Sequence, residues 1–168
     1  NERGAITTLG FDYDGGYAEY VVAKAELLVK IPDSLGFDQA AIIPDAVSTP
    51  WAAITSTAGM KSGENAAVFG IGGLGFHAVQ LLSILGCRTI AIDPRPEARE
   101  KALEIGASHA FDPADPGLKE FRGLDAAFDF AGVTPVRKQA LSLLGERGRL
   151  VIVGIANEPI TIPNDMAF

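Results

Sequence analysis

From residue 66 onward, short runs that are apolar throughout alternate with longer runs whose apolar residues fall on one helical face. Residues 66–69, 89–92, 109–111, 126–130 and 149–153 are predicted as strands, and 74–85, 96–105 and a weak segment at 116–121 as helices. A last helix opens with Thr134 as N-cap and Pro135 in its first turn, and closes at Gly145. Strands with no polar face must be covered on both sides. The pattern therefore predicts an α/β fold, a doubly wound parallel sheet of Rossmann type with helices on both faces. Upstream the texture differs. Residues 16–22 alternate, and 27–31 form a second strand candidate closed by Pro32-Asp33, so this stretch is expected to be the edge of a β-domain. Two short strands do not make a stable sheet alone. Between the two regions lie a helical segment at 37–43, broken near Pro44, and a helix at 45–58 with Ser48, Thr49 and Pro50 in its first turn.

Candidate chemistry concentrates after the strand at 66–69, where the chain reads Gly70-Ile71-Gly72-Gly73-Leu74-Gly75 and enters a helix. Eighteen residues after Gly75, at the end of the next apolar run, stands Asp93. A glycine-rich strand-to-helix turn followed by an acid on the next strand end is what gripping a dinucleotide requires. Gly70 permits the tight turn, Gly72 lets backbone approach a pyrophosphate, and Gly75 lets the helix pack close. The helix N-terminus offers unpaired N–H groups to that pyrophosphate. Asp93 can accept hydrogen bonds from a ribose 2′-OH and would repel a 2′-phosphate, which favours NAD over NADP. Arg95 and Arg99 are two readings each: partners for a 2′-phosphate, or, preferably, solvated charges at the start of a helix. The same topology brings Ala131-Gly132 and Gly154-Ile155 to strand carboxyl ends.

Composition narrows the classes. The chain has 168 residues, 48% of them hydrophobic, enough for a sizeable core. A net charge of −7 with no basic cluster argues against nucleic acid. No apolar stretch reaches membrane-span length, and no signal-peptide pattern is present, so no membrane partner is expected. A single cysteine, Cys87, excludes an internal disulfide and fits a cytoplasmic setting; it reads as a small buried apolar group. His77 and His109 read as packing residues. The opening Asn1-Glu2-Arg3 lacks Met, as expected of a processed or excised chain.

Five stretches carry a resemblance to the medium-chain alcohol dehydrogenases, usually zinc-dependent: Gly15-Gly16-Tyr17-Ala18-Glu19-Tyr20, Ile43-Pro44-Asp45-Ala46-Val47-Ser48-Thr49-Pro50, Val68-Phe69 with the glycine turn, Glu104-Ile105-Gly106-Ala107-Ser108-His109, and Val151-Ile152-Val153-Gly154-Ile155. The resemblance implies a co-chaperonin-like catalytic β-barrel, of which residues 1–36 would be a remnant, a Rossmann domain at 37–160, and a linker at 161–168 leading back. It places a Cys, a Gly-His-Glu motif and a four-cysteine lobe before Asn1, and a sixth strand after Phe168. It assigns Asp45 as a catalytic-zinc ligand in the intact enzyme, beside the plainer role of an acid favoured near a helix start. Thr49 would pack on the nicotinamide and touch the substrate pocket, or be a simple first-turn residue. Val153, Gly154 and Ile155 would line the nicotinamide end, and Ala131, Gly132 and Val133 the adenosine ribose and pyrophosphate; core strand and tight turn are the plainer alternatives.

The resulting expectation is the NAD-binding part of a zinc-dependent alcohol dehydrogenase-like oxidoreductase, with an alcohol, aldehyde or ketone as substrate. Family resemblance also implies homodimer formation through the sheet edge. The isolated chain is expected to be inactive, since one ligand does not hold zinc. Two rivals are a zinc-free quinone or enoyl reductase of the same superfamily and a non-catalytic dinucleotide-binding module.

Overall fold

Five strands form one all-parallel sheet in the computed structural model, which describes residues 9–155 and residue 162. They are β1 (Asn65–Phe69), β2 (Arg88–Ile92), β3 (His109–Phe111), β4 (Leu124–Asp129) and β5 (Leu144–Ile152), in the spatial order β3-β2-β1-β4-β5. The order reverses at β1, so the crossovers from β1 and from β3 leave in opposite directions and open a crevice at its carboxyl end. Helices α3 (Gly73–Ile84), α4 (Pro96–Glu104) and α5 (Thr134–Leu143) connect the strands.

Side-chain alternation explains why the strands are apolar throughout. Ala66 and Val68 join Ala78, Val79 and Leu82 of α3 and Ala98 and Ala102 of α4 on one face. Ala67 and Phe69 join Ile90, Ile92, Ala140 and Leu143 on the other. The small residues let helices lie close to the sheet, while Phe69 and Phe128, both fully buried, fill the space between them.

Chain contacts divide the molecule into Asn1–Gly36 and Phe37–Phe168. The strands expected at 16–22 and 27–31 are not formed. Described residues of the first unit hold an isolated bridge between Leu9 and Tyr13 and a 3-10 turn at Ala25–Leu27. Their alternating pattern has no partner strand to complete a hydrogen-bonded ladder. The described residues of this unit thus form no sheet of their own.

In the second unit, α1 (Phe37–Ala40) is shorter than the 37–43 expected. Pro44 opens the next helical run rather than breaking the last one. That run is α2 (Ser48–Ala52), flanked by π-helical turns at Ile43–Val47 and Ala53–Thr57. Pro44 and Pro50 have no N–H to give to an α-helical ladder, and π turns accommodate such gaps. Thr134 lies inside α5, and Val133 occupies its N-cap position without a side-chain cap. Gly145 falls within β5 instead of closing the helix. There the pairing jumps from Leu124–Leu144 to Ala126–Arg149, and Arg147 adopts a φ of 60°. Residues 156–161 and 163–168, which include nearly all of the expected linker, and residues 1–8 lie outside the described residues.

Candidate functional site

The four glycines of the turn divide into two pairs. Gly70 has a φ of 84°, and a Cβ there would stand 2.9 Å from the Ala131 backbone nitrogen. A Cβ on Gly75 would stand 1.9 Å from the Gly70 carbonyl oxygen. Both positions are closed by backbone, so only glycine fits. At Gly72 and Gly73 a Cβ would meet nothing within 4 Å. These two face open space at the start of α3, whose first turn has no side-chain cap. Its N–H groups and the positive end of the helix are left for an anion. The space is a cavity of about 570 Å³ lined on one side by the turn, with Asp93, Pro94 and Arg95 on a second wall and Phe130, Ala131 and Val133 on a third. A bare backbone shelf at a helix N-terminus, beside a cavity of ligand size, fits a pyrophosphate.

Asp93, at the end of β2, is 3% exposed. Its Oδ2 accepts from the Ile71 N–H at 2.8 Å and from Arg95 Nη2 at 3.0 Å. Its Oδ1 accepts from the Arg95 N–H at 2.9 Å and from Arg95 Nε at 3.0 Å. Burial by itself would push this carboxyl up. The hydrogen bonds from the Arg95 side chain, then the Arg95 and Ile71 backbone, outweigh it and hold Asp93 below the usual carboxylate range. Arg95 Nη2 also donates to the Ile71 carbonyl at 3.1 Å, which ties the acid's strand end to the glycine turn. Arg95 is thus not a free solvated charge. Neither is Arg99, which donates to the Asp93 and Pro94 carbonyls and pairs with Asp112 at 3.2 Å.

One strand over from β1, on the opposite side, β4 ends in a second buried acid. Asp129 is fully buried and pairs with Arg137 of α5 at 3.0 Å. Its other oxygen accepts from the Gly132 N–H at 2.8 Å, and Arg137 donates to the Gly154 carbonyl at 3.2 Å. A Cβ on Gly154 would stand 2.3 Å from the Gly132 nitrogen. The loops after β4 and β5 are therefore stacked backbone on backbone and pinned by one ion pair. Sequence reasoning missed Asp129 and Arg137. The signal was present: an acid interrupts the apolar end of a strand, and an arginine sits three residues before Ala140 on the buried face of α5.

Other expected site residues fall elsewhere. Ile71 contributes backbone and buries its side chain. Val153 and Gly154 donate N–H groups to the Asp129 carbonyl, and Ile155 is exposed. Gly132, Val153, Gly154 and Ile155 are absent from the walls of this cavity, whereas Pro113, Pro135 and Val136 contribute without having been singled out. Their signal was positional, since each follows a strand carboxyl end. Thr49 donates to Asp45 Oδ1 at 2.8 Å, and neither lines the cavity. Among the described residues no three or more His, Cys, Asp or Glu side chains come together to hold a metal. Asp45 alone does not make a zinc site. Cys87 donates to the Lys61 carbonyl, and burial, with Glu64 beside it, pushes its thiol up. No described helix is long and apolar enough to cross a membrane.

A family model described as zinc-binding dehydrogenase matches residues 73–168. An alcohol dehydrogenase from Geobacillus stearothermophilus is 39% identical over 159 residues, covering 92% of this chain and 47% of its own length. The alcohol dehydrogenase from Aeropyrum pernix superposes with a TM-score of 0.83 at 31% identity, over 95% of this chain and 49% of that one. A protein from Sinorhizobium meliloti 1021, described as a zinc-binding dehydrogenase and solved bound to NADP, gives 0.84 at 26% identity, over 94% and 49%. The chain spans about half the length of the curated relatives it matches.

Proposed function

We propose that this chain, which belongs to the zinc-binding dehydrogenase family, is the dinucleotide-holding part of an alcohol dehydrogenase-like oxidoreductase that moves hydride between an alcohol and NAD. The observation that carries the reading is the shelf of Gly72 and Gly73, open to a cavity at the N-terminus of α3 and faced by Asp93. The first turn of α3 holds the pyrophosphate, Asp93 and Arg95 meet the adenosine ribose, and Ala131 with Val133 walls the far side. The bound dinucleotide supplies the hydride chemistry; the chain orients it and keeps water off one side. Asp45, steadied by Thr49, contributes one carboxylate to zinc in the intact enzyme, with the remaining ligands supplied from outside the described residues.

NADH binding followed by nicotinamide fluorescence tests the reading. Saturating NADH, at about a hundred times Kd, should raise stability by about 2.7 kcal/mol. Gly72→Val puts side-chain bulk on the shelf at a position where an added Cβ meets nothing within 4 Å. It should leave folding intact and weaken NADH by about tenfold or more. NADH binding equally well to G72V, or not at all to the unaltered chain, overturns the proposal. The 168-residue chain itself should show no alcohol oxidation.

A further inference from the structure

The mouth of the cavity carries an acid whose bonding capacity is already used. A carboxylate offers about four lone-pair sites. Asp93 receives the Ile71 N–H, the Arg95 N–H, Arg95 Nε and Arg95 Nη2, two on each oxygen. The acid is 3% exposed, whereas the Arg95 side chain is 54% exposed and lines the cavity itself. Two of the four donors therefore belong to a side chain that can swing out, and two belong to backbone that cannot. A ribose hydroxyl reaches Asp93 only by displacing Arg95.

We infer that Arg95 sets which ribose the site accepts. By pairing with Asp93 it occupies the sites a 2′,3′-diol needs and cancels the charge that would turn away a 2′-phosphate. The inference rests on the dinucleotide reading proposed above and reverses the simple expectation that an acid at this strand end excludes the phosphorylated cofactor. With Arg95 in place the mouth is close to neutral, and the guanidinium can pass from carboxylate to phosphate, since both accept its planar fork. The chain therefore discriminates weakly between NADH and NADPH. Without the guanidinium, each Asp93 oxygen regains one vacant site, the pair that a vicinal diol fills. The carboxylate then stands uncompensated against a phosphate of like charge.

The test titrates the whole chain with NADH and with NADPH, by nicotinamide fluorescence, in the unaltered form and as Arg95→Ala and Arg95→Gln. Arg95→Gln keeps much of the stem and guards against a folding defect in the smaller variant. The ratio of the NADPH to the NADH dissociation constant should rise by about tenfold or more in both variants, through weaker NADPH and equal or tighter NADH. Arg95→Lys, which keeps the charge and loses the fork, should fall between. A merely structural role for Arg95 would weaken both cofactors alike. Parallel weakening, an unmoved ratio, or tighter NADPH in the variants overturns the inference while leaving the dinucleotide site standing. Failure of the unaltered chain to bind either cofactor removes the site itself, and the inference with it.

Discussion

Two acids flank β1 at the carboxyl edge of the sheet, Asp93 just past β2 and Asp129 at the end of β4, and they are built from the same parts. Each is buried, each accepts a backbone N–H from a glycine-containing turn, and each is paired with an arginine a few residues later. They differ in where the arginine lies. Arg137 is 6% exposed and reaches across to Gly154, while Arg95 is half exposed and stands in the cavity wall. The first pair is scaffold and the second is mouth. A buried pair cannot be opened without leaving an unsolvated charge, whereas an arginine in contact with water can release its acid at small cost. Proximity to a binding cavity is thus less informative than which partner of a pair is free to leave.

Removing Arg137 is the strongest way to break that comparison. Arg137→Ala strands a fully buried carboxylate and should cost about 3–5 kcal/mol in chemical denaturation. A loss of under about 1 kcal/mol would show that water reaches Asp129 and that the two acids are alike. Gly132→Ala attacks the same knot from the backbone. Gly132 has a φ of 69°, and a Cβ there would stand 2.7 Å from the Ile155 carbonyl oxygen. Strain and overpacking together should cost about 2–4 kcal/mol, read from the same denaturation midpoint.

Much of this was legible from residue types, and the limits are physical. All five parallel strands and their helices followed from apolar runs punctuated by glycine and proline, because a sheet covered on both faces leaves no other pattern. Gly70 could be read as the turn glycine, Gly72 as the approach glycine and Gly75 as the packing glycine, since the spacing maps directly onto the turn. The upstream alternation at 16–22 misled, because period two records only what a strand would bury if a partner were present. The irregular pairing of β5, with Arg147 at positive φ, depends on register against β4, which no local pattern encodes. The pairing of Arg95 with Asp93 was not legible, because a separation of two residues does not say that the guanidinium turns back onto the acid. The Asp129–Arg137 pair needed the angle of α5 over the sheet.

At the mouth, the same truncation should be mild. Arg95→Ala removes two donors from Asp93 but leaves the Ile71 and Arg95 backbone N–H groups in place. It should cost several times less than Arg137→Ala at neutral pH. A loss as large as that of Arg137→Ala would make both pairs scaffold and erase the distinction.

Acid titration resolves the smallest effect and fixes its cause. Arg95 holds the Asp93 carboxyl below its ordinary value, so in the folded state Asp93 binds its proton only at lower pH than in the unfolded chain. Such a group stabilises the fold above the unfolded value, near 3.8, and the stabilisation drains as pH falls toward the folded value. In Arg95→Ala the burial contribution is less opposed, and the folded carboxyl moves upward. The stability gap between the two proteins should therefore be full at neutral pH and should close as pH falls below about 4. Fluorescence-detected urea unfolding at intervals between neutral pH and about pH 3 measures it. A gap that stays constant through that range would mean that Arg95 acts through packing of its stem, and Asp93 would then be an acid that its own backbone donors hold ionised unaided.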